Sequence, residues 1–212
     1  MKSKPFFAEL IGTFALVFIV AGAAALGTAG LLGVALAYGL VVATFSYLFG
    51  EISGAHLNPA VTFGLALYGS IDWVKAIFYW IAQFLGGIIA AALLLFVFGG
   101  AGNGLGATVL ASGVNPLQGV IVEAILTFFL VNSVFFAAIG EYAGKRAGFV
   151  IGLTVVFAIL MGGPLTGGSL NPARTLGPAI FTGSLGQFWI YLVGPFVGAA
   201  LASLVYRLFK MK

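Results

Sequence analysis

Long apolar stretches separated by short polar segments dominate the sequence. A helix needs about 20 apolar residues to cross the hydrocarbon core of a bilayer. Six stretches fit: 6–26, 31–49, 73–98, 117–140, 148–161 (extended slightly at either end) and 188–209. The fifth is the weakest by length, because it stops at Gly162-Gly163-Pro164. Since more apolar stretches follow the first, we expect that first stretch to be a membrane span and not a cleaved signal peptide.

Composition excludes several classes of protein. Hydrophobic residues make up 62% of the chain and charged residues only 7%, against about 45–50% and about 25% in an ordinary soluble domain. The few charged side chains cannot cover a soluble fold, which argues against a soluble enzyme, a disordered chain and a nucleic-acid binder. With no cysteine and a single histidine, we expect no disulfide, metal site or cofactor.

Basic residues lie almost entirely on one side of the predicted spans. If the N-terminus is cytoplasmic, the outer segments hold only Arg174. The cytoplasmic side holds the other eight: Lys2, Lys4, Lys75, Lys145, Arg146, Arg207, Lys210 and Lys212. This asymmetry follows the positive-inside rule. It predicts a multi-pass protein of the plasma membrane, the inner membrane of a prokaryote, with both termini cytoplasmic.

The two halves of the chain repeat each other at offsets of 112 to 114 residues. The matched segments are 9–14 with 123–128, 39–42 with 152–155, 53–60 with 166–173, and 79–84 with 191–196. Each half contains three spans, so the second half must be inverted relative to the first. We expect a first repeat at 1–100, a linker at 101–116 and a second repeat at 117–212, with the functional site near the midplane between the repeats.

Two apolar segments, 50–71 and 162–187, are too short to cross the membrane, and each contains Asn-Pro-Ala. Asparagine is a strong N-cap and proline is favoured at the first helical position. We therefore predict half-helices from Asn58-Pro59 to about Tyr68 and from Asn171-Pro172 to about Phe181, each preceded by an extended loop. Ten residues reach about 15 Å, half the hydrocarbon thickness. The two N-termini would meet at the centre, and irregular backbone at that depth favours a water-filled pore.

These residues resemble the aquaporin family (major intrinsic proteins) over essentially the whole chain. The resemblance rests on two Asn-Pro-Ala boxes, on Arg174 after the second box, on the Ser-Gly-Ala-His-Leu sequence before the first, and on Glu9 and Glu123. It implies an aquaporin-like fold, a homotetramer with one pore per subunit, and passive water conduction. The midplane residues that would exclude protons and ions are Asn58, Pro59, Ala60, Asn171, Pro172 and Ala173.

The resemblance also implies a narrower filter toward the outer mouth. Its four positions here are Tyr38, Ile159, Gly168 and Arg174. Pore-lining carbonyls would belong to Gly54, Ala55, His56, Gly167, Gly168 and Ser169.

This filter differs from both common family patterns. Water-specific members usually have histidine at the position of Ile159. Glycerol-conducting members usually have an aromatic residue at Gly168, with an acidic residue at Thr175 and a basic one at Ala179. We predict water as the main permeant, with leakage of small neutral solutes such as glycerol and ammonia. Without a cysteine the pore should also resist mercurials.

Three polar residues are predicted to anchor the loops before the boxes: Glu9, Glu123 and His56. Buried carboxylates can accept backbone N–H groups that have no other partner in the membrane. Proton coupling by the two glutamates and pH gating by the histidine are the alternatives.

Two other transport functions remain open at this stage. A glycerol or small-neutral-solute facilitator of the same architecture is one, since Ile159 and Leu192 allow it. An ion-coupled transporter with broken helices is the other, and Arg174 in the filter argues against cation passage. No nucleophile–base pair, metal cluster or phosphate-binding loop points to an enzyme. The expected partners are therefore water, small neutral solutes and the lipid bilayer.

Overall fold

The structure is a computed structural model that describes residues 3–140 and 144–210. The described part contains eight α-helices and no strand. They are α1 (Ser3–Leu26), α2 (Gly30–Ser53), α3 (Pro59–Tyr68), α4 (Trp73–Val97), α5 (Pro116–Val134), α6 (Ala147–Thr166), α7 (Pro172–Thr182) and α8 (Phe188–Lys210). Lys2 and Lys212 lie outside the described residues.

Six of these helices are long and apolar enough to cross a membrane, and α3 and α7 are the two short ones. This confirms the six predicted spans and the two half-helices. The fourth span begins at Pro116, where Asn115 and Gln118 form a reciprocal capping box. It ends in a π-helical turn at Phe135–Ile139.

The predicted ends of spans 2 and 5 are wrong. Helix α2 continues past residue 49 to Ser53, and α6 continues through Pro164 to Thr166. Lipid offers no hydrogen-bond partner to an unwound backbone, so a proline can be tolerated inside a membrane helix. What ends each helix is a left-handed glycine, Gly54 in α2 and Gly167 in α6, whose N–H bonds back to the carbonyl four residues earlier.

Each half-helix packs on a long helix from the other half of the chain. An added Cβ at Gly64 in α3 would meet the Ala199 carbonyl of α8 at 3.3 Å, and one at Gly177 in α7 would meet the Gly87 carbonyl of α4. These two contacts are related by the sequence repeat. Each half-helix therefore packs more extensively on a long helix of the other repeat than on the one that follows it in its own.

Glycines at matched positions also allow the long helices to cross closely. Gly39 in α2 and Gly152 in α6 face each other, and a Cβ on either would meet the carbonyl of the other at 2.5–2.6 Å. A Cβ at Gly86 would collide with the Leu10 carbonyl, and one at Gly198 with the Ala124 carbonyl. The absence of a side chain at Gly86 and Gly198 thus allows the helices to pack closely.

The segment between the halves is more than a connection. It forms a 3-10 turn at Gly104–Gly106 and buries the Leu105 side chain completely. Gly106 adopts a φ of +62° with its Cα so close to α1 that a Cβ would collide with the Ala21 backbone. The segment therefore folds inward against α1 and lies beside α7.

Candidate functional site

The two Asn-Pro-Ala boxes meet tip to tip. The side-chain oxygen of Asn58 caps α3 by accepting the Ala60 N–H at 2.8 Å. Asn171 caps α7 by accepting the Ala173 N–H at 3.0 Å. Because these caps use the amide oxygens, the NH₂ groups are left to donate elsewhere.

Each asparagine NH₂ group donates across the interface between the halves. Asn58 Nδ2 donates to the Leu170 carbonyl and Asn171 Nδ2 to the Leu57 carbonyl, both at 2.8 Å. Each NH₂ group carries two hydrogens, so one remains on each asparagine. These two hydrogen bonds join the helix N-termini, and each asparagine keeps one N–H that can donate to another molecule.

The loops before the boxes are not extended, as the sequence suggested, but largely left-handed. In the first loop Gly54, Ala55 and Leu57 have φ of +94°, +47° and +52°. The second loop repeats this at Gly167, Gly168 and Leu170, with φ of +78°, +59° and +57°. Left-handed backbone costs a residue other than glycine about 1–2 kcal/mol. Such loops persist only where other contacts hold them.

Glu9 holds the first loop. Its carboxylate accepts the backbone N–H groups of His56 at 2.9 Å and Leu57 at 2.7 Å. It also accepts the Ser53 hydroxyl at 2.6 Å and Gln83 Nε2 at 2.8 Å. Four donors therefore surround a fully buried carboxylate and replace its hydration.

Glu123 holds the second loop in the same way. It accepts the N–H groups of Ser169 at 2.9 Å and Leu170 at 2.7 Å, together with the Thr166 hydroxyl at 2.7 Å. It is also fully buried. The position matching Gln83 is Pro195, so among the described residues Glu123 has three donors where Glu9 has four.

His56 and Ser169 occupy matching positions and each connects its loop to its half-helix. His56 Nδ1 lies 3.0 Å from the Thr62 hydroxyl of α3, which also accepts Gln83 Nε2. The Ser169 hydroxyl lies 2.6 Å from the Thr175 hydroxyl of α7. The two predicted loop-anchoring glutamates therefore bond to the loops directly, whereas His56 belongs to the first loop and contacts α3.

Two cavities lie on either side of the boxes. We name these cavities after the predicted sides of the membrane. The inner cavity has a volume of about 670 Å³ and is lined by Asn58, Asn171, Glu51 and Lys145, among others. The outer cavity has a volume of about 270 Å³ and is lined by Ile159, Arg174 and Gly167, among others. Among the described residues, none lines both cavities.

The predicted filter residues are divided between these cavities. Ile159 and Arg174 line the outer cavity, whereas Tyr38 lines the inner one. Gly168 lines neither, but a Cβ there would meet Ile159 Cδ1 at 2.8 Å. Three residues with predicted pore carbonyls line the inner cavity, namely Gly54, Ala55 and His56. Gly167 lines the outer cavity. Gly168 and Ser169 line neither cavity.

Arg174 is held with its guanidinium at the outer cavity. Its Nη1 donates to the Gly106 carbonyl at 2.6 Å. Its Nε is buried and has no hydrogen-bond partner in the described part of the chain. The Gly106 carbonyl is therefore the partner that fixes the guanidinium beside this cavity.

Sequence reasoning missed two kinds of contact. Tyr79 and Tyr191 donate to the carbonyls of Ser53 and Thr166 at 2.7 Å, fixing the ends of α2 and α6. Their matched places in the repeat were a signal for this role. The contribution of the connecting segment through Gly106 and Thr108 had no such signal, because that segment has no counterpart in the repeat.

Comparison with known proteins agrees with this geometry. Residues 1–206 match the family described as Major intrinsic protein. Aquaporin TIP2-3 from Arabidopsis thaliana and Aquaporin TIP2-1 from Zea mays are both 41% identical to the chain, with 96% of it and 86% of each relative covered. The X-ray structure of the aquaglyceroporin from Plasmodium falciparum superposes with a TM-score of 0.84 at 26% identity, covering 96% of this chain and 94% of that one. The chain therefore belongs to the major intrinsic protein family.

Proposed function

We propose that the protein is a passive transmembrane water channel that excludes protons and ions and leaks small neutral solutes. It is a channel and not an enzyme. The observation that carries this proposal is the pair of half-helix N-termini joined through the Asn58–Leu170 and Asn171–Leu57 hydrogen bonds, with a cavity on either side.

Proton exclusion follows from the charges at this junction. Each half-helix N-terminus carries roughly +0.5 elementary charge. The second amide hydrogens of Asn58 and Asn171, which both line the inner cavity, are donors to a passing water. That water accepts through its oxygen and turns its hydrogens toward the two mouths. A proton cannot hop along a chain broken in this way, and the positive potential repels cations.

Arg174 adds a second barrier at the outer cavity. Its guanidinium lies at this cavity, and its fixed positive charge raises the energy of any cation there. Ile159 forms an apolar wall of the same cavity. Water and small neutral molecules can accept a hydrogen bond from the arginine without a charge penalty.

Water is the favoured permeant over glycerol. The Thr175 hydroxyl, where glycerol-conducting members have an acidic residue, bonds to Thr108 at 2.7 Å and to Ser169 at 2.6 Å, and so stabilises the second box. The neutral Ala179 is buried in α7. The relatives named above are called aquaporins.

A glycerol facilitator is the second candidate. Its support is the similarity to the aquaglyceroporin of Plasmodium falciparum, together with the apolar Ile159 in place of histidine. The same measurement can rank the two candidates.

Stopped-flow light scattering on proteoliposomes tests this ranking. Vesicles with and without the protein are challenged first with an impermeant osmolyte and then with glycerol. We expect water permeability well above that of empty vesicles, no proton flux, and a much smaller gain for glycerol. Glycerol uptake as fast as that of a dedicated facilitator would reverse the ranking, and proton flux would reject the exclusion mechanism.

We further propose a homotetramer in the plasma membrane, with both termini cytoplasmic and the repeats divided at 101–116. The outward faces of the long helices carry many exposed large apolar side chains, including Phe96, Leu117 and Phe157, which suits contact with lipid or with other subunits. The charge asymmetry supports the orientation, and the matched contacts of Glu9 and Glu123 support the division.

A further inference from the structure

Side-chain donors from two long helices hold both ends of the half-helix α3. Trp80 Nε1 in α4 donates to the Pro59 carbonyl, in the first turn of α3, at 3.0 Å. Arg207 Nη2 in α8 donates to the Leu67 carbonyl, in the last turn, at 2.5 Å. Helix α4 belongs to the first repeat and α8 to the second. The half-helix is thus bonded at each end to a helix long enough to cross the membrane.

The bond at Leu67 pairs a carbonyl that the helix itself leaves open. The last four carbonyls of a helix have no partner within that helix. The N–H groups that follow α3 turn back to earlier carbonyls, and the carbonyl of Leu67 accepts from Arg207 instead. The guanidinium also brings positive charge to a helix C-terminus, where the dipole is negative. It lies 5.7 Å from the centre of the Tyr68 ring, so two contacts fix it at this end.

Aromatic rings surround the bond at the other end of α3. Phe63 in α3 stacks on Phe196 in α8 with ring centroids 4.8 Å apart, and the Trp80 ring stacks on Phe196 at 6.0 Å. Trp73 lies edge-on to Trp80 at 6.5 Å. Because these rings limit the freedom of the indole, its N–H fixes the Pro59 carbonyl in one place.

Half-helix α7 lacks both bonds. The repeat places Leu192 and Leu95 where the first half-helix has its two donors, and leucine has none. Among residues 3–140 and 144–210, no side chain donates to the matched carbonyls of α7, those of Pro172 and Ile180. The connecting segment holds α7 instead, for example through the hydroxyl of Thr108. That segment occurs once in the chain, so α3 needs a different support.

We propose that Trp80 and Arg207 are positioning residues that prevent α3 from sliding along its axis. This inference rests on the proposed channel function and names two residues on which its proton exclusion depends. Asn58 donates to the Leu170 carbonyl at 2.8 Å, and a shift of about 1 Å away from that carbonyl would end the bond. The second amide hydrogen of Asn58 and the positive helix N-terminus would then leave the junction where they orient water.

Two substitutions remove the donors and keep most of the packing. Trp80→Phe leaves an aromatic ring in the cluster, and Arg207→Met keeps an unbranched side chain along α8. Proteoliposomes with equal amounts of folded protein are tested for water flux and for proton flux. We expect proton flux several-fold above that of empty vesicles in each variant and a larger flux in the double variant. The unaltered protein should show none.

The matched controls are Trp189→Phe and Arg146→Met. Both residues are exposed, and neither side chain forms a hydrogen bond with a described residue. These variants should exclude protons as the unaltered protein does. Proton flux in the controls equal to that in the test variants would contradict the proposal.

The relation between the two fluxes separates positioning from stability. A substitution that only weakens the fold reduces the number of folded channels, so water flux falls and no proton flux appears. Arg207→Lys should restore part of the proton exclusion that Arg207→Met loses, because lysine keeps a cationic donor. If Trp80→Phe, Arg207→Met and the double variant all exclude protons, the positioning role is rejected.

The remaining outcomes also decide the matter. If none of the test variants folds, amide hydrogen exchange in the unaltered protein replaces them. A half-helix held at both ends should protect its amides at 62–68 as well as α7 protects those at 175–182, and much faster exchange in α3 would contradict the proposal. If the unaltered protein conducts no water above empty vesicles, the channel function itself fails. If it conducts water and excludes protons, and the test variants do the same, only the roles of Trp80 and Arg207 fail.

Discussion

At the scale of single residues, buried polar groups decide the shape of the lumen. Ala55, Leu57 and Leu170 hold left-handed backbone that these residue types avoid. Glu9 and Glu123 offset that cost, because each accepts two consecutive N–H groups from a strained loop. The strained loops and the glutamates form one unit in each half.

Replacing Glu9 by glutamine separates anchoring from proton coupling. Glu9→Gln loses an acceptor for the loop, so we expect a loss of about 1.5–3 kcal/mol of stability and lower water permeability. The measurements are thermal unfolding in detergent and water flux with and without a pH gradient. Glu51→Gln is the control, because Glu51 is exposed at the inner cavity. Flux that depends on the gradient in the unaltered protein, with normal stability in Glu9→Gln, would favour proton coupling instead.

Ile159 sets the character of the outer cavity. Ile159→His places a donor opposite Arg174 and narrows the path, so the ratio of glycerol to water permeability should fall roughly tenfold, within the range for a small change in a pocket. Ile159→Val keeps the wall apolar and serves as the control, with a ratio unchanged or raised. The proteoliposome assay measures both. A ratio that rises in Ile159→His would mean that Ile159 does not limit solute size.

At the scale of elements, small residues control how closely the helices approach. Gly39 and Gly152 face each other at the crossing of α2 and α6, and Gly86 and Gly198 fit against the backbones of α1 and α5. In lipid, such backbone contact replaces the hydrophobic effect as the force that joins helices. The spacing between these helices therefore depends on these positions.

Adding a single methyl group at one of these crossings tests whether close helix approach stabilises the fold. In Gly198→Ala the new Cβ would collide with the Ala124 carbonyl, and overpacking of this kind costs about 1–3 kcal/mol. Gly50→Ala is the matched control, because Gly50 also lies in a long helix but has open space around its Cα. We expect a lower unfolding temperature for Gly198→Ala only. Equal temperatures for the two variants would show that the crossing can relax.

The sequence was informative about elements and less so about their ends. Hydropathy and the two Asn-Pro pairs were enough to predict six spans and two half-helices. Glycine and proline at 162–164 suggested a helix end, but α6 continues to Thr166, because the membrane penalises unwinding and Gly167 provides the stop. A left-handed conformation depends on tertiary contacts such as those of Glu123, which no local pattern encodes.

At the scale of the whole molecule, the connecting segment links the two repeats at the candidate filter. Gly106 holds Arg174 through its carbonyl, and Thr108 bonds to Thr175 on α7. Neither contact could be predicted from the repeat, since the segment occurs once. Residues from both halves and the segment between them therefore build the outer cavity together.

Orientation in the membrane can be measured with single cysteines. The chain has none of its own, so an introduced thiol is labelled without background. Lys4→Cys and Ser112→Cys both lie at exposed positions, near the N-terminus and in the connecting segment. In intact cells a membrane-impermeant maleimide should label Ser112→Cys and leave Lys4→Cys unlabelled until the cells are opened. The reverse pattern would invert the proposed topology.

The exchanged bonds between the boxes also bear on how the protein is made. Asn58 donates to the Leu170 carbonyl, 112 residues later in the chain, and Asn171 donates to the Leu57 carbonyl, 114 residues earlier. While the ribosome is still translating the second half, lipid cannot satisfy the amide and carbonyl at the first box, at a cost of several kcal/mol per group. We therefore expect the first half-helix to stay near the aqueous surface during synthesis and to insert fully only when the second half-helix is present. An incomplete chain would then form no open pore.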